Sequence, residues 1–137
     1  MTGPTEKLCP VVLRSGVPGL EVLVFRHPLA GVQLVKGTRE AGESIEGGAL
    51  RELEEESGIS AATVVLDLGS SSAIASGQLW HFLQVETGPL PSGWTHRTAD
   101  DGGHLFEFFW WPLATDPDVD WHESFRRALD HIRAALH

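Results

Sequence analysis

Cysteine is nearly absent from this chain: Cys9 is the only one among 137 residues. No intramolecular disulfide can form, and a structural zinc site built on two or more cysteines is excluded. Tyrosine is missing altogether. Positive charge is scarce too: ten Lys and Arg stand against nineteen Asp and Glu, a formal charge of −9. That balance argues against duplex nucleic acid as a partner, because such binding needs a cationic surface. Small anionic ligands stay open, provided bound cations neutralise the site locally. No stretch approaches the roughly 20 apolar residues of a membrane span. The segment Met1 to Leu8 is polar and lacks the apolar core of a signal peptide. These absences predict a cytoplasmic protein with no membrane association.

What is present suits one domain over residues 1–137. A composition of 42% hydrophobic residues, with five Trp and six Phe, is a globular profile. A chain this long buries roughly two thirds of its unfolded surface and needs no staples. No repeat, low-complexity tract or linker interrupts it.

The apolar runs Val11 to Leu13 and Leu20 to Phe25 flank the turn residues Ser15 to Gly19 and predict a hairpin. Gly31 to Val35 alternates as a third strand. Further strands are expected over Thr63 to Leu68, Gln78 to Val85 and Leu105 to Trp111. Ser44 to Ser57 is a helix with Ile45, Ala49, Leu50 and Leu53 on one stripe and Gly58 at the usual left-handed cap. Gly47 and Gly48 weaken it and suggest close packing of another backbone. Trp121, Phe125, Leu129, Ile132 and Leu136 predict an amphipathic C-terminal helix. Asp120 and Glu123 resemble a capping box at its start. Strands before and after a central helix, closed by another helix, imply a mixed sheet between helices, an α/β fold.

The informative segment runs from Gly37 to Ile59. Glu52, Glu55 and Glu56 stand at i, i+3 and i+4, so they share a helix face, while Glu54 points elsewhere. Like charges at this spacing destabilise a helix, and they crowd its C-terminal half, where the macrodipole disfavours anions. A solvated acidic face is the common outcome for a bare Glu-x-x-Glu-Glu. A hard divalent cation is the alternative, since carboxylate oxygens suit Mg2+ or Mn2+ and Mg2+ often bridges carboxylates to phosphates.

The wider pattern decides between them. Gly37-x5-Glu43-x7-Arg51-Glu52-Leu53-x-Glu55-Glu56-x-Gly58-Ile59 resembles the signature of the Nudix hydrolase family, with every specified position filled. Chance would fill them in fewer than about one chain in a million. The resemblance implies an α/β/α sandwich with a mixed central sheet. It implies a pyrophosphohydrolase that cleaves a diphosphate linkage in a nucleoside diphosphate derivative, with water attacking phosphorus. Glu52, Glu55 and Glu56 match the family's metal-binding and catalytic carboxylates, and the Gly37 carbonyl matches a further ligand to Mg2+ or Mn2+. Arg51 matches an arginine that orients neighbouring carboxylates, and it is placed with Lys36 on the substrate side. Glu43 and Gly58 match structural positions. Lys36, just before the box, matches a lysine that reaches phosphate in some relatives. Arg26, His27 and Arg39 are weaker candidates.

The general base has no fixed spacing. Glu107 lies within the apolar run Leu105 to Trp111, where a carboxylate needs a partner or a role, unless it simply faces solvent. Asp100, Asp101 and His104 occupy a loop that could fold over the site, and Glu55 or Glu56 could serve instead. Trp80-His81 and Trp94-Thr95-His96 could present aromatic faces to a base, although core packing suits Trp80, Trp110 and Trp111. The missing tyrosine removes a residue that marks some dinucleoside polyphosphate hydrolases. The expected partner is a small diphosphate-containing molecule, a nucleotide by family habit. The alternative is a catalytically silent nucleotide-binding sensor on this scaffold; such relatives often lose box carboxylates, and none is lost here. An isomerase of the isopentenyl diphosphate type would need a cysteine in the pocket, whereas Cys9 is expected as a packed thiol.

Overall fold

Strands β1 (Thr5–Gly16) and β2 (Gly19–His27) form the expected hairpin, but each runs further than its apolar core. They are followed by β3 (Gly31–Gln33), β4 (Gly37–Thr38), helix α1 (Ile45–Ser57), β5 (Ala62–Ser71) and β6 (Gln78–Thr87). Then come β7 (Trp94–Arg97), β8 (Leu105–Pro112) and helix α2 (Glu123–Ala135). This computed structural model describes residues 3–99 and 102–136. Asp100 and Asp101, candidates for a loop over the site, lie outside the described residues.

The sheet order is β5-β6-β1-β2-β8-β7, with β3 beside β2 and β4 beside β1. β1 and β6 are parallel, and the other pairs are antiparallel, so the sheet is mixed as expected. One detail positions the site. β1 pairs with β2 only over Leu13 to Gly16, and further back Lys7 and Leu8 pair with Thr38 and Gly37 of β4. The sheet therefore forks, with the end of β2 and β3 on one arm and β4 on the other.

The two helices cover opposite faces, because pleating sends successive side chains to opposite sides. Leu23, Phe25, Phe106, Phe108 and Trp110 pack with Leu53 of α1. Val22, Val24, Trp80 and Phe82 pack with Phe125, Leu129 and Ile132 of α2. Cys9 is fully buried on the α2 side, a packed thiol.

Ser44 caps α1 by accepting the Gly47 N–H at 3.0 Å, and Gly58 closes it with φ 83°. The suspected close packing occurs at Gly48, but against side chains: a Cβ there would meet Leu8 and the Glu43 carboxylate. The capping box expected at Asp120 is not formed. α2 starts later, with His122 as its N-cap accepting the Ser124 N–H at 3.2 Å. Trp121 is instead extended, bridging Val32 of β3, and the Asp120 carbonyl accepts the Val32 N–H at 3.0 Å. A Cβ on Gly31 would collide with that carbonyl, so the docking requires glycine. β3 also ends two residues early, as Leu34 and Val35 are buried on the way to the box loop.

Candidate active site

The fork opens a cavity of about 570 Å3. Lys7 of β1 and Lys36, Gly37 and Thr38 of the β4 arm line one side, and Glu52 and Glu56 of α1 project into it. His27 at the end of β2, His104 and Phe106 form the opposite wall, with the two imidazole centroids 4.9 Å apart. His27 Nδ1 accepts the Leu29 N–H at 3.0 Å, which leaves the proton of the neutral ring on Nε2.

The helical spacing accounts for the acids. Glu52 and Glu56, one turn apart, both face the cavity, whereas Glu54 is exposed. Glu55 turns to the flank, where a smaller hollow lies between Glu54, Glu55, His96 and Arg97. Glu55 does not line the cavity, yet its charge stays close enough to Glu56 to help raise that carboxyl's pKa. Among the described residues no three His, Cys, Asp or Glu side chains form a ready cation cage. Arg51 bridges two of the glutamates, donating from the same Nη1 to Glu52 at 2.7 Å and to Glu55 at 3.2 Å.

Arg51 is the hub of the loop-helix unit. Its Nε and Nη2 grip the two oxygens of Glu43 at 2.5 and 2.9 Å, and Nη2 also reaches the Thr38 carbonyl at 3.2 Å. This fork holds the Glu43 carboxyl down at about pKa 2, with the Glu40 backbone N–H helping. Every nitrogen of the guanidinium is engaged with protein oxygens, so in this structure Arg51 braces the loop-helix unit. Arg39 continues the brace, donating to the Glu43 carbonyl at 2.8 Å and to Glu6 at 2.9 Å.

Gly37 is dictated by Glu52: a Cβ on Gly37 would fall on the Glu52 carboxyl group. Glu56 is the exceptional acid. It accepts the Lys36 backbone N–H, yet its Oε1 is buried with no hydrogen-bond partner. Burial above all, then the charge of Glu52, pushes its pKa up to about 8, against the pull of Lys36. Hard oxygen donors around an orphaned buried carboxylate oxygen suit a divalent cation such as Mg2+.

The remaining candidates separate by strand parity. Phe106 and Phe108 face α1, so Glu107 between them faces the α2 side, exposed and opposite Arg26. It does not line the cavity. Arg26 pairs with Asp120 at 3.0 Å, away from the acids. Trp80 is core and His81 holds Glu6 at 2.9 Å. Trp94 and His96 clasp the end of α1, with Trp94 Nε1 donating to the Ser57 carbonyl at 3.0 Å and His96 Nε2 3.1 Å from the Glu55 carbonyl. That contact and the positive φ of Gly58, whose Cβ would lie 3.0 Å from His96, assign Gly58 its structural place. Lys7 and Phe106 were not anticipated; only the β1–β4 pairing and the fork bring them here.

A loop-helix unit of this form on a mixed sheet defines the Nudix class, and the comparisons agree. The model of the NUDIX domain matches residues 11–129. The chain belongs to the Nudix hydrolase family. No curated protein matches it in sequence. Among solved structures, an ADP-ribose pyrophosphatase from Streptococcus suis is similar at TM-score 0.66 and 10% identity, over 96% of this chain and 92% of that one. A C. elegans Ap4A hydrolase is similar at TM-score 0.63 and 16% identity, over 98% and 99%. The NUDIX domain of Shewanella oneidensis NrtR, complexed with ADP ribose, is similar at 0.64 and 14%, over 100% and 91%.

Proposed function

We propose that this cavity hydrolyses a diphosphate linkage in a nucleoside diphosphate derivative, with dependence on Mg2+ or Mn2+. The supporting observation is the buried, unpartnered Glu56 Oε1 beside Glu52 and Gly37. Glu52, Glu56 and the Gly37 carbonyl would hold the ion, with Glu55 completing the set from the next flank of the same turn. When bound, such an ion shields phosphate charge and acidifies a coordinated water. The chain's own groups do the rest. Arg51 keeps Glu52 and Glu55 oriented, Lys36 meets a phosphate oxygen, and the apolar packing of Leu53 and Phe106 limits bulk water. With Glu107 on the other face, Glu55 or Glu56 is the base. Among the described residues no helix is long and apolar enough to cross a membrane.

The test is turnover of nucleoside triphosphates, dinucleoside polyphosphates and nucleoside diphosphate sugars with and without Mg2+. Glu56→Gln is expected to lower turnover at least about a hundredfold with the fold intact. Full activity in that variant removes the carboxylate from the mechanism.

A further inference from the structure

The last turn of α1 is built against its own stability. It carries Glu54, Glu55 and Glu56 and no basic residue, so the macrodipole and like-charge repulsion both favour its unwinding. Unwinding would also carry the buried, unpartnered Glu56 Oε1 into water. A helix end leaves its final carbonyls without helical partners. Locally, the Gly58 N–H donates to the Glu54 carbonyl at 2.8 Å, and Ser57 Oγ donates to the Leu53 carbonyl. The Glu55 and Ser57 carbonyls are served from outside the helix.

β7 supplies both donors. Its residues alternate, so Trp94 and His96 share the half-buried face while Thr95 and Arg97 are exposed. Trp94 Nε1 donates to the Ser57 carbonyl at 3.0 Å. His96 Nε2 stands 3.1 Å from the Glu55 carbonyl, so that nitrogen carries the proton. Each ring is backed by β8. Trp94 lies flat on Phe108, with centroids 5.1 Å apart at 8°, and Phe106 stands opposite His96 in register. On the helix side only glycine admits the His96 ring so closely, since a Cβ on Gly58 would lie 3.0 Å from its Nδ1. A four-residue edge strand thus commits both inward side chains to the turn that bears Glu55 and Glu56.

We propose that Trp94 and His96 are positioning residues for the hydrolase: they keep the last turn of α1 wound, so that Glu55 and Glu56 are preorganised for the divalent cation. This deepens the metal-dependent reading above and rests on it. The rings act through the helix backbone, not by touching substrate.

The test pairs amide exchange in the metal-free protein with Mg2+ calorimetry and kinetics. Trp94→Phe and His96→Phe keep a packed ring and remove the donor, while His96→Gln returns an N–H at the reach of Nε2. In the two Phe variants the Ser57 and Gly58 amides are expected to exchange at least about fivefold faster, one hydrogen bond being worth roughly that factor. Amides of α2 are expected to keep their rates. Mg2+ affinity is expected to fall by a similar factor, with kcat recovering at saturating Mg2+ and KM for the nucleotide unchanged. His96→Gln is expected to behave as the parent. Unchanged exchange at Ser57 and Gly58, or faster exchange with unaltered Mg2+ affinity, overturns the proposal. Equal acceleration in α2 overturns it too, because it marks a global loss of stability. A parent that takes up no Mg2+ would sink the metal reading instead, and the exchange arm would still decide whether β7 holds the turn.

Discussion

Glu56 takes the backbone N–H of Lys36 on one carboxylate oxygen and buries the other without a partner. A buried acid left in that state costs the fold stability. Without metal, its folded pKa of about 8 lies above the unfolded value near 4.5. The native state therefore binds the extra proton between those values, and stability falls as pH rises from about 4.5 to about 8. Glu56→Gln, tested in chelator at pH 8, is expected to melt about 5 °C or more above the parent. The same variant is expected to lose the rise in Tm that Mg2+ confers on the parent. A parental Tm that ignores Mg2+ contradicts the site.

Gly37 and Glu52 are matched by contact. A methyl group on Gly37 must displace a carboxyl that Arg51 pins from the other side. Gly37→Ala is expected to weaken Mg2+ binding at least about tenfold, a loss of about 1.4 kcal/mol, measurable by calorimetry. Unchanged affinity would show that Glu52 can move freely.

Arg51 offers a planar fork to Glu43 while reaching Glu52 and Glu55, a geometry that lysine cannot copy. Arg51→Lys is expected to lower kcat by about tenfold to a hundredfold with KM within about threefold, because positioning is lost and substrate contact is not. A rise in KM with kcat preserved would restore Arg51 to the substrate.

Acid should expose the Glu43 brace. Its folded pKa of about 2 lies below the unfolded value near 4.5, so its contribution is present above about pH 4.5 and fades as pH falls toward 2. Glu6, lowered by His81 and Arg39, acts in the same direction. Melting curves of the parent and Glu43→Gln are expected to differ at pH 6 and to converge near pH 2. A constant gap across that range would mean that the carboxylate charge is irrelevant.

Much of the site was legible because it is local. The caps at Ser44 and Gly58, the box spacing and the shared turn of Glu52 and Glu56 depend on helical geometry alone. The α2 start failed for a tertiary reason, since Trp121 gains more from docking on Val32 than from a helical turn. The facing of Glu107 was not legible, because an apolar run hides its own parity until one face is assigned to a helix.

By itself the amino-acid order carried the family resemblance in the spacing of the box, and the acid-bearing helix and mixed α/β architecture in short-range periodicity. Only the tertiary structure decided which carboxylates share a cavity and which cations meet them. The contact between Lys7 and Thr38 spans 31 residues. It exists because β1 leaves β2 and pairs with β4, a choice that long-range strand pairing makes and local propensity does not record.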